Sequence, residues 1–380
     1  MTKFFSYFRL SRATPTPLFY ALLFAALPLN GCNSFTINIS IPSAVLALLP
    51  SPVPTSAAQY RAYGDSITAG ATLTGSERPY PAFVAEFEAA TYSDNAISGD
   101  QSCDVPTRQI FPNEDSPTLL THPMYTLLIG TNDVAAKGAG PYETVFILCH
   151  QATISWLAVP AEYKVFANGS GVTTTGTGAL DSSNNWNAWT TGEPGATVSF
   201  TITTNQFGPI YAWPRIIDGN SGTYTYSVDG LVVGSASMET APNIATRNGS
   251  SSSLGFLRLP SIAPGTHVVT FTQTSAGGGG VSVVGIGTPT KRIGDVLPTV
   301  LVGTIPYQEP GSTCDASDGP CEKYIEDIET DVDLFSNDGL NVRLFDTRKF
   351  MFGTGIEMND SVHPNEFGQF ELSHAVEASW

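Results

Sequence analysis

"QYRAYGDSITAG", residues 59–70, is the stretch on which the fold turns. An apolar run ends at Gly64, and Asp65 and Ser66 follow at once. This reads as a buried strand feeding a turn, with Ser66 where strand meets helix. Aspartate or serine before a helix is ordinary N-cap chemistry. The tripeptide alone therefore leaves Ser66 open between a nucleophile and a capping residue.

Outward from it, strands and helices alternate. "ERPYPAFVAEFEAA" (77–90) has Phe83 and Phe87 one turn apart, as a helix requires. "YTLLIG" (125–130) and "TVLVGTIPY" (299–307) are apolar runs of buried-strand type, and "NVRLFDT" (341–347) is a further strand. "PYETVFILCHQATISWL" (141–157) and "EKYIEDIETDVDLF" (322–335) read as helices; the latter sets Ile325, Ile328, Val332 and Phe335 on one stripe. Such alternation predicts an α/β protein, a parallel sheet with helices on both faces.

From 163 to 290 the helical period vanishes. "ATVSFTITT", "GTYTYSVDG", "GTHVVTFTQT" and "VSVVGIG" are separated by Gly, Pro and Asn turns, and only eight charged residues fall between 165 and 288. This segment predicts an antiparallel, jelly-roll-like β-sandwich inserted into the α/β core. The domain reading is then 58–162 and 291–380 for the core and 163–290 for the insert.

The amino terminus reads as a targeting segment. Lys3, Arg9 and Arg12 precede "PLFYALLFAALPL", which is short for a membrane span, and "LNGC" follows at its end. That resembles the lipobox of bacterial lipoproteins, which makes 1–31 a signal peptide and Cys32 the lipidated first mature residue. Asn30 departs from the small residue usual there, and the other reading is a plain secretory signal. Both take the chain out of the cytoplasm. Residues 32–57, rich in Ser and Pro, then read as a tether.

Charge excludes one class of partner. The whole chain carries −17, and without the first 31 residues 14 Lys and Arg face 34 Asp and Glu, a net of −20. Such a surface repels phosphate backbones, so no nucleic-acid partner is expected. Beyond Cys32 there are four cysteines, Cys103, Cys149, Cys314 and Cys321. In an oxidising compartment they can form two disulfides by three pairings. The turn-rich "DASDGP" favours a local Cys314–Cys321 bridge, which leaves Cys103 for Cys149. No Cys/His cluster has zinc spacing, so no metal is expected.

Serine-based acyl transfer needs an exposed hydroxyl, a histidine, a carboxylate to orient it, and oxyanion donors. Of five histidines, His150 lies in an apolar helix, His267 in the sandwich, and His122 and His374 lack a carboxylate in a local turn. His363 is different: in "NDSVHPNEFGQ" Asp360 stands three residues ahead of it. That spacing lets the carboxylate accept from Nδ1 while Nε2 faces outward. "NAISGD" offers Gly99 and "GTND" offers Asn132, each also readable as a simple turn residue.

Taken in order, "GDSITAG", "NAISGD", "GTND" and "DSVHPN" resemble blocks I, II, III and V of the SGNH (GDSL-type) hydrolases. The resemblance covers roughly 58–160 and 291–380. It implies a flavodoxin-like three-layer core with Ser66 as nucleophile, His363 as base and Asp360 orienting it. Gly99 and Asn132, with the amide of Ser66, would form the oxyanion hole, and no cofactor is required.

Three readings of function follow. One is a membrane-anchored or secreted esterase acting on acetyl or other short acyl groups of carbohydrate. Another keeps the triad but acts on lipids, aryl esters or thioesters. A third is a glycan-binding surface lipoprotein with a vestigial hydrolase core. Asp65, Trp186, Trp189 and Trp213 are the candidate substrate contacts, although a sandwich more often buries its tryptophans. The oligomeric state is left open.

Overall fold

The computed structural model describes residues 59–112, 123–137, 141–182, 187–217, 222–237, 252–275, 280–290, 294–315 and 320–380. The signal segment, the tether, Cys32 and Trp186 lie outside the described residues.

Five strands make a wholly parallel sheet: β1 (Gln59–Gly64), β2 (Thr91–Asp94), β3 (Pro123–Leu128), β4 (Thr299–Gly303) and β5 (Val342–Phe345). Their spatial order is β5-β4-β3-β1-β2. The order reverses at β1, so the crevice beside the carboxyl ends of β1 and β3 is where such a sheet binds ligands.

Alternate residues of β1, β3, β4 and β5 enter different apolar clusters, as the two-residue period of a strand demands, while the edge strand β2 is exposed throughout. Tyr60, Ala62, Met124, Leu128, Leu301 and Phe345 pack with helices α1 (Tyr80–Phe87) and α5 (Glu366–Glu377). Tyr63, Tyr125, Leu127, Val300, Val302 and Val342 pack with α3 (Pro141–Ala158) and α4 (Pro320–Asn337). A short helix, α2 (Thr131–Lys137), follows β3.

The strands between Lys164 and Gly287 are all antiparallel. Leu231–Ser237, Thr223–Val228, Gly265–Gln273, Thr197–Thr204 and Val172–Thr175 form one sheet in that order. A second sheet centres on Tyr211–Ile217 and Val281–Gly287. Between them lies a core that includes Val198, Phe200, Phe271 and Val283. On the outer face of the first sheet, cross-strand hydroxyls pair, as in Ser199–Thr270 at 2.8 Å and Thr203–Thr266 at 3.0 Å.

The second sheet is covered on both sides, and "VSVVGIG" is accordingly buried at every residue. Its far side packs on α3 and α4. Trp213 meets Trp156 at 5.0 Å between ring centroids, and Tyr211 and Phe256 both meet Phe335. One apolar cluster thus runs from the parallel sheet into the antiparallel part, and all described residues belong to one compact unit. Burying side chains of this size contributes roughly 1.5–3 kcal/mol each, so the two parts are fused and not merely linked.

Candidate active site

Gly64 ends β1 at a point with no room for a side chain. A Cβ there would run into the Thr68 hydroxyl and the Leu128 carbonyl. The backbone then coils irregularly, with Ala69 N donating to Asp65 O and Ala71 N to Ser66 O, both at 3.0 Å. The helix expected directly after Ser66 is absent: residues 66–72 are turns, and regular helix starts at Tyr80. Gly70, left-handed at φ 64°, ends the winding. Ser66 is left 5% exposed at the carboxyl edge of the sheet.

Asp360 and His363 lie on the segment between β5 and α5. Asp360 Oδ1 accepts from Val362 N at 2.8 Å and His363 N at 2.7 Å, an Asx-type turn that fixes the carboxylate under the ring. Its Oδ2 stands 2.8 Å from His363 Nδ1, and His363 Nε2 stands 2.9 Å from Ser66 Oγ. Partial burial works to raise the Asp360 pKa. The hydrogen bonds from Val362, His363 N and the His363 ring outweigh it and hold the carboxyl below its ordinary value. Beyond the pair, Asn365 caps α5 by accepting from Gly368 N at 3.1 Å. Glu309 N, donating to Ser361 O at 3.1 Å, anchors the segment from the side.

Gly99 adopts φ 82°, a left-handed conformation that favours glycine. Ile97 N donates to Gly64 O at 3.2 Å, and Asn132 Nδ2 donates to Asp100 O at 3.0 Å. These two bonds draw the Gly99 turn between the ends of β1 and β3. Asn132 sits in the first turn of α2, and a primary amide has a second N–H beyond the one given to Asp100.

Behind this edge lies buried acid. Burial pushes Asp65 up to about 7, helped by the charges of Asp133 and Asp100, against a hydrogen bond from Ile67 N. Burial likewise pushes Asp133 up to about 7, against hydrogen bonds from Ser102 N and Oγ. Asp133, in the first turn of α2, thereby ties Ser102 to that helix. Asp65 is 1% exposed and faces inward, so its expected role as a substrate contact is corrected.

The tryptophan expectation is corrected as well. Trp213 is fully buried, donating from Nε1 to Ser155 Oγ at 2.9 Å, and Trp189 is 3% exposed. Neither offers a face to a sugar ring. Trp186 lies outside the described residues. The cysteines pair as Cys103–Cys149 and Cys314–Cys321. Among the described residues, no group of three or more His, Cys, Asp or Glu could hold a metal ion.

Sequence reading stopped at Gly99 and missed Asp100 and Ser102, which are buried polar residues beside it. The bonds that tie them to the edge of the sheet, Asp100 O to Asn132 Nδ2 and Ser102 Oγ to Asp133, span more than thirty residues, and no local pattern announces them.

Chemically, an imidazole held between a hydroxyl and a carboxylate can take the hydroxyl proton while the carboxylate stabilises the resulting imidazolium. A left-handed glycine turn and a side-chain amide border the same edge, and N–H groups of this kind can stabilise an oxyanion.

No family model and no curated protein matches the chain. Among solved structures, it is similar to a two-domain esterase (CEX) active on acetylated mannans, co-crystallized with mannopentaose. The identity there is 13% over 62% of this chain and 92% of that one, with a TM-score of 0.34. It is also similar to a family 35 carbohydrate-binding module from an environmental isolate, at 12% identity over 33% of this chain and 90% of that one, TM-score 0.25. A carbohydrate-binding module, CBM36, in complex with calcium and xylotriose aligns at 19% identity over 32% and 95%, TM-score 0.24.

Proposed function

We propose that this chain is a serine esterase of the SGNH type that hydrolyses acetyl or other short acyl esters on carbohydrate. The observation that carries the reading is the Ser66 Oγ–His363 Nε2 distance of 2.9 Å, with Asp360 on the other ring nitrogen. His363 takes the proton as Ser66 attacks the ester carbonyl, and the Ser66 and Gly99 amides and Asn132 Nδ2 hold the tetrahedral oxyanion. The imidazolium then protonates the leaving alcohol, and water, activated by the same ring, releases the acid. Losing one oxyanion donor costs about 10²–10³-fold in rate.

Within this proposal the core is flavodoxin-like and three-layered over 58–162 and 291–380, and the sandwich over 163–290 is its insert. The chain is exported by residues 1–31 and tethered to a bacterial membrane through lipid on Cys32. The carbohydrate substrate is fold-level analogy with the antiparallel jelly rolls of lectins. The net charge of −17 further favours a neutral polysaccharide over a polyanionic one. One observation favours longer acyl chains instead: Phe352 and Ile356 are exposed on the segment leading to Asp360.

The test is hydrolysis of p-nitrophenyl esters from acetate to octanoate, and acetate release from an acetylated neutral polysaccharide, by wild type and Ser66→Ala. Turnover that is best with acetate and absent in the variant is expected. A preference for octanoate moves the substrate to lipid. Equal inertness of both proteins removes the esterase reading in favour of glycan binding.

A further inference from the structure

Next to the Gly99 turn, residues Val105–Ile110 wind as a π-helix, a rare form that concentrates at functional sites. It sets Arg108 and Gln109 against Asp100, whose side chain is fully buried. Arg108 Nη1 donates to Asp100 Oδ1, and Gln109 Nε2 donates to Asp100 Oδ2 at 2.9 Å. The same Gln109 amide grips the last residue of β1 twice. Its Oε1 accepts from Gly64 N at 3.0 Å, and its Nε2 donates to Gly64 O at 2.7 Å. Asp100 O in turn accepts from Asn132 Nδ2.

These bonds form a closed connection. Gly64 lies two residues before Ser66, Asp100 directly follows Gly99, and Asn132 is bonded to the Asp100 carbonyl. One buried amide, itself inaccessible to solvent, therefore joins the three chain segments that carry the proposed oxyanion donors. A buried amide with both its oxygen and its nitrogen engaged has one orientation, so it transmits a fixed spacing.

We infer that Gln109, seated on the Asp100–Arg108 ion pair, is the positioning residue that sets the spacing of the oxyanion donors around Ser66. The inference rests on the esterase reading above. Gln109 touches no substrate; it acts through Gly64 and Asp100. Misplacement of a reacting group by about 1 Å can cost on the order of 10²-fold in rate.

The test compares wild type, Gln109→Leu, Asn132→Ala and the double variant on p-nitrophenyl acetate, with Ser66→Ala as the blank. Gln109→Leu is expected to lower kcat by about 10- to 100-fold with KM within about threefold, because the defect belongs to the transition state. In the double variant the two losses should be less than multiplicative, since both act on one oxyanion site. Multiplicative losses, or a kcat within twofold of wild type for folded Gln109→Leu, overturn the inference while Ser66→Ala inertness leaves the esterase reading standing. Should Gln109→Leu not fold, Gln109→Met, which keeps the length of the side chain but loses its bonds to Gly64 and Asp100, carries the same cycle and the same criteria. A wild type as inert as Ser66→Ala overturns both.

Discussion

Two histidine–aspartate pairs of nearly the same length occupy opposite environments. At the sheet edge His363 Nδ1 meets Asp360 Oδ2 at 2.8 Å, while between α3 and α4 His150 Nδ1 meets Asp331 Oδ2 at 2.7 Å. The second pair is 1% exposed on each side chain, its ring stacks on Phe146 at 5.1 Å, and its Nε2 has no hydrogen-bond partner among the described residues. The first has Ser66 Oγ at Nε2 and solvent beside it. A histidine oriented by a carboxylate is thus not in itself a site. What differs is what the far nitrogen faces, a hydroxyl at a ligand edge or a packed core.

The largest expected effect is on activity at the exposed pair. His363→Ala should reduce kcat by about 10⁴-fold or more, as loss of a triad base does, with the melting temperature nearly unchanged. Steady-state kinetics beside thermal unfolding checks this. A large loss of stability instead would make His363 a structural residue like His150.

The buried pair should respond the other way. His150→Leu leaves Asp331 buried with Gln151 Nε2, at 2.7 Å, as its side-chain partner among the described residues, and removing one partner of a buried pair costs roughly 3–5 kcal/mol. Denaturant unfolding would read that loss, while kcat per folded molecule stays the same. Replacing Asp331 by Leu as well should recover much of the stability.

Burial also separates the carboxylates by protonation. Asp65 and Asp133, pushed up to about 7, bind protons in the folded state at pH values where the unfolded chain, near 3.8, has released them. Stability from these two groups is therefore greatest below about pH 4 and is lost as pH rises through about 7, a change on the order of a few kcal/mol. Asp360, held below its ordinary value, stays ionised across that window. Melting temperature should be higher at pH 5 than at pH 8, and Asp65→Asn should flatten the difference. A profile rising from pH 5 to 8 would contradict this.

The smallest effect belongs to a third pair, on the antiparallel sheet, where His267 Nδ1 meets Asp229 Oδ2 at 2.7 Å. Asp229 is half exposed, so His267→Gln should cost at most about 1 kcal/mol and leave activity untouched.

Of these three pairs only one could be read from sequence. Asp360 and His363 are three residues apart, and a single turn joins them. His150 and Asp331 are separated by 181 residues and His267 and Asp229 by 38, so both pairings depend on how whole elements pack. The same limit applies to Gln109, which is 45 residues from Gly64. Strand and helix periods were legible because they repeat locally, and the loss of helical period after 163 marked the antiparallel strands. Periodicity did not reveal that the second antiparallel sheet packs on α3 and α4. That packing buries Trp213 and turns an apparent sugar platform into core.

The most direct measurement is intact-mass analysis after treatment with a fluorophosphonate, which reacts preferentially with an activated serine hydroxyl. Wild type should gain one adduct that peptide mapping places on Ser66, and His363→Ala should gain none. An unmodified but folded wild type, or an adduct on another residue, would contradict the account.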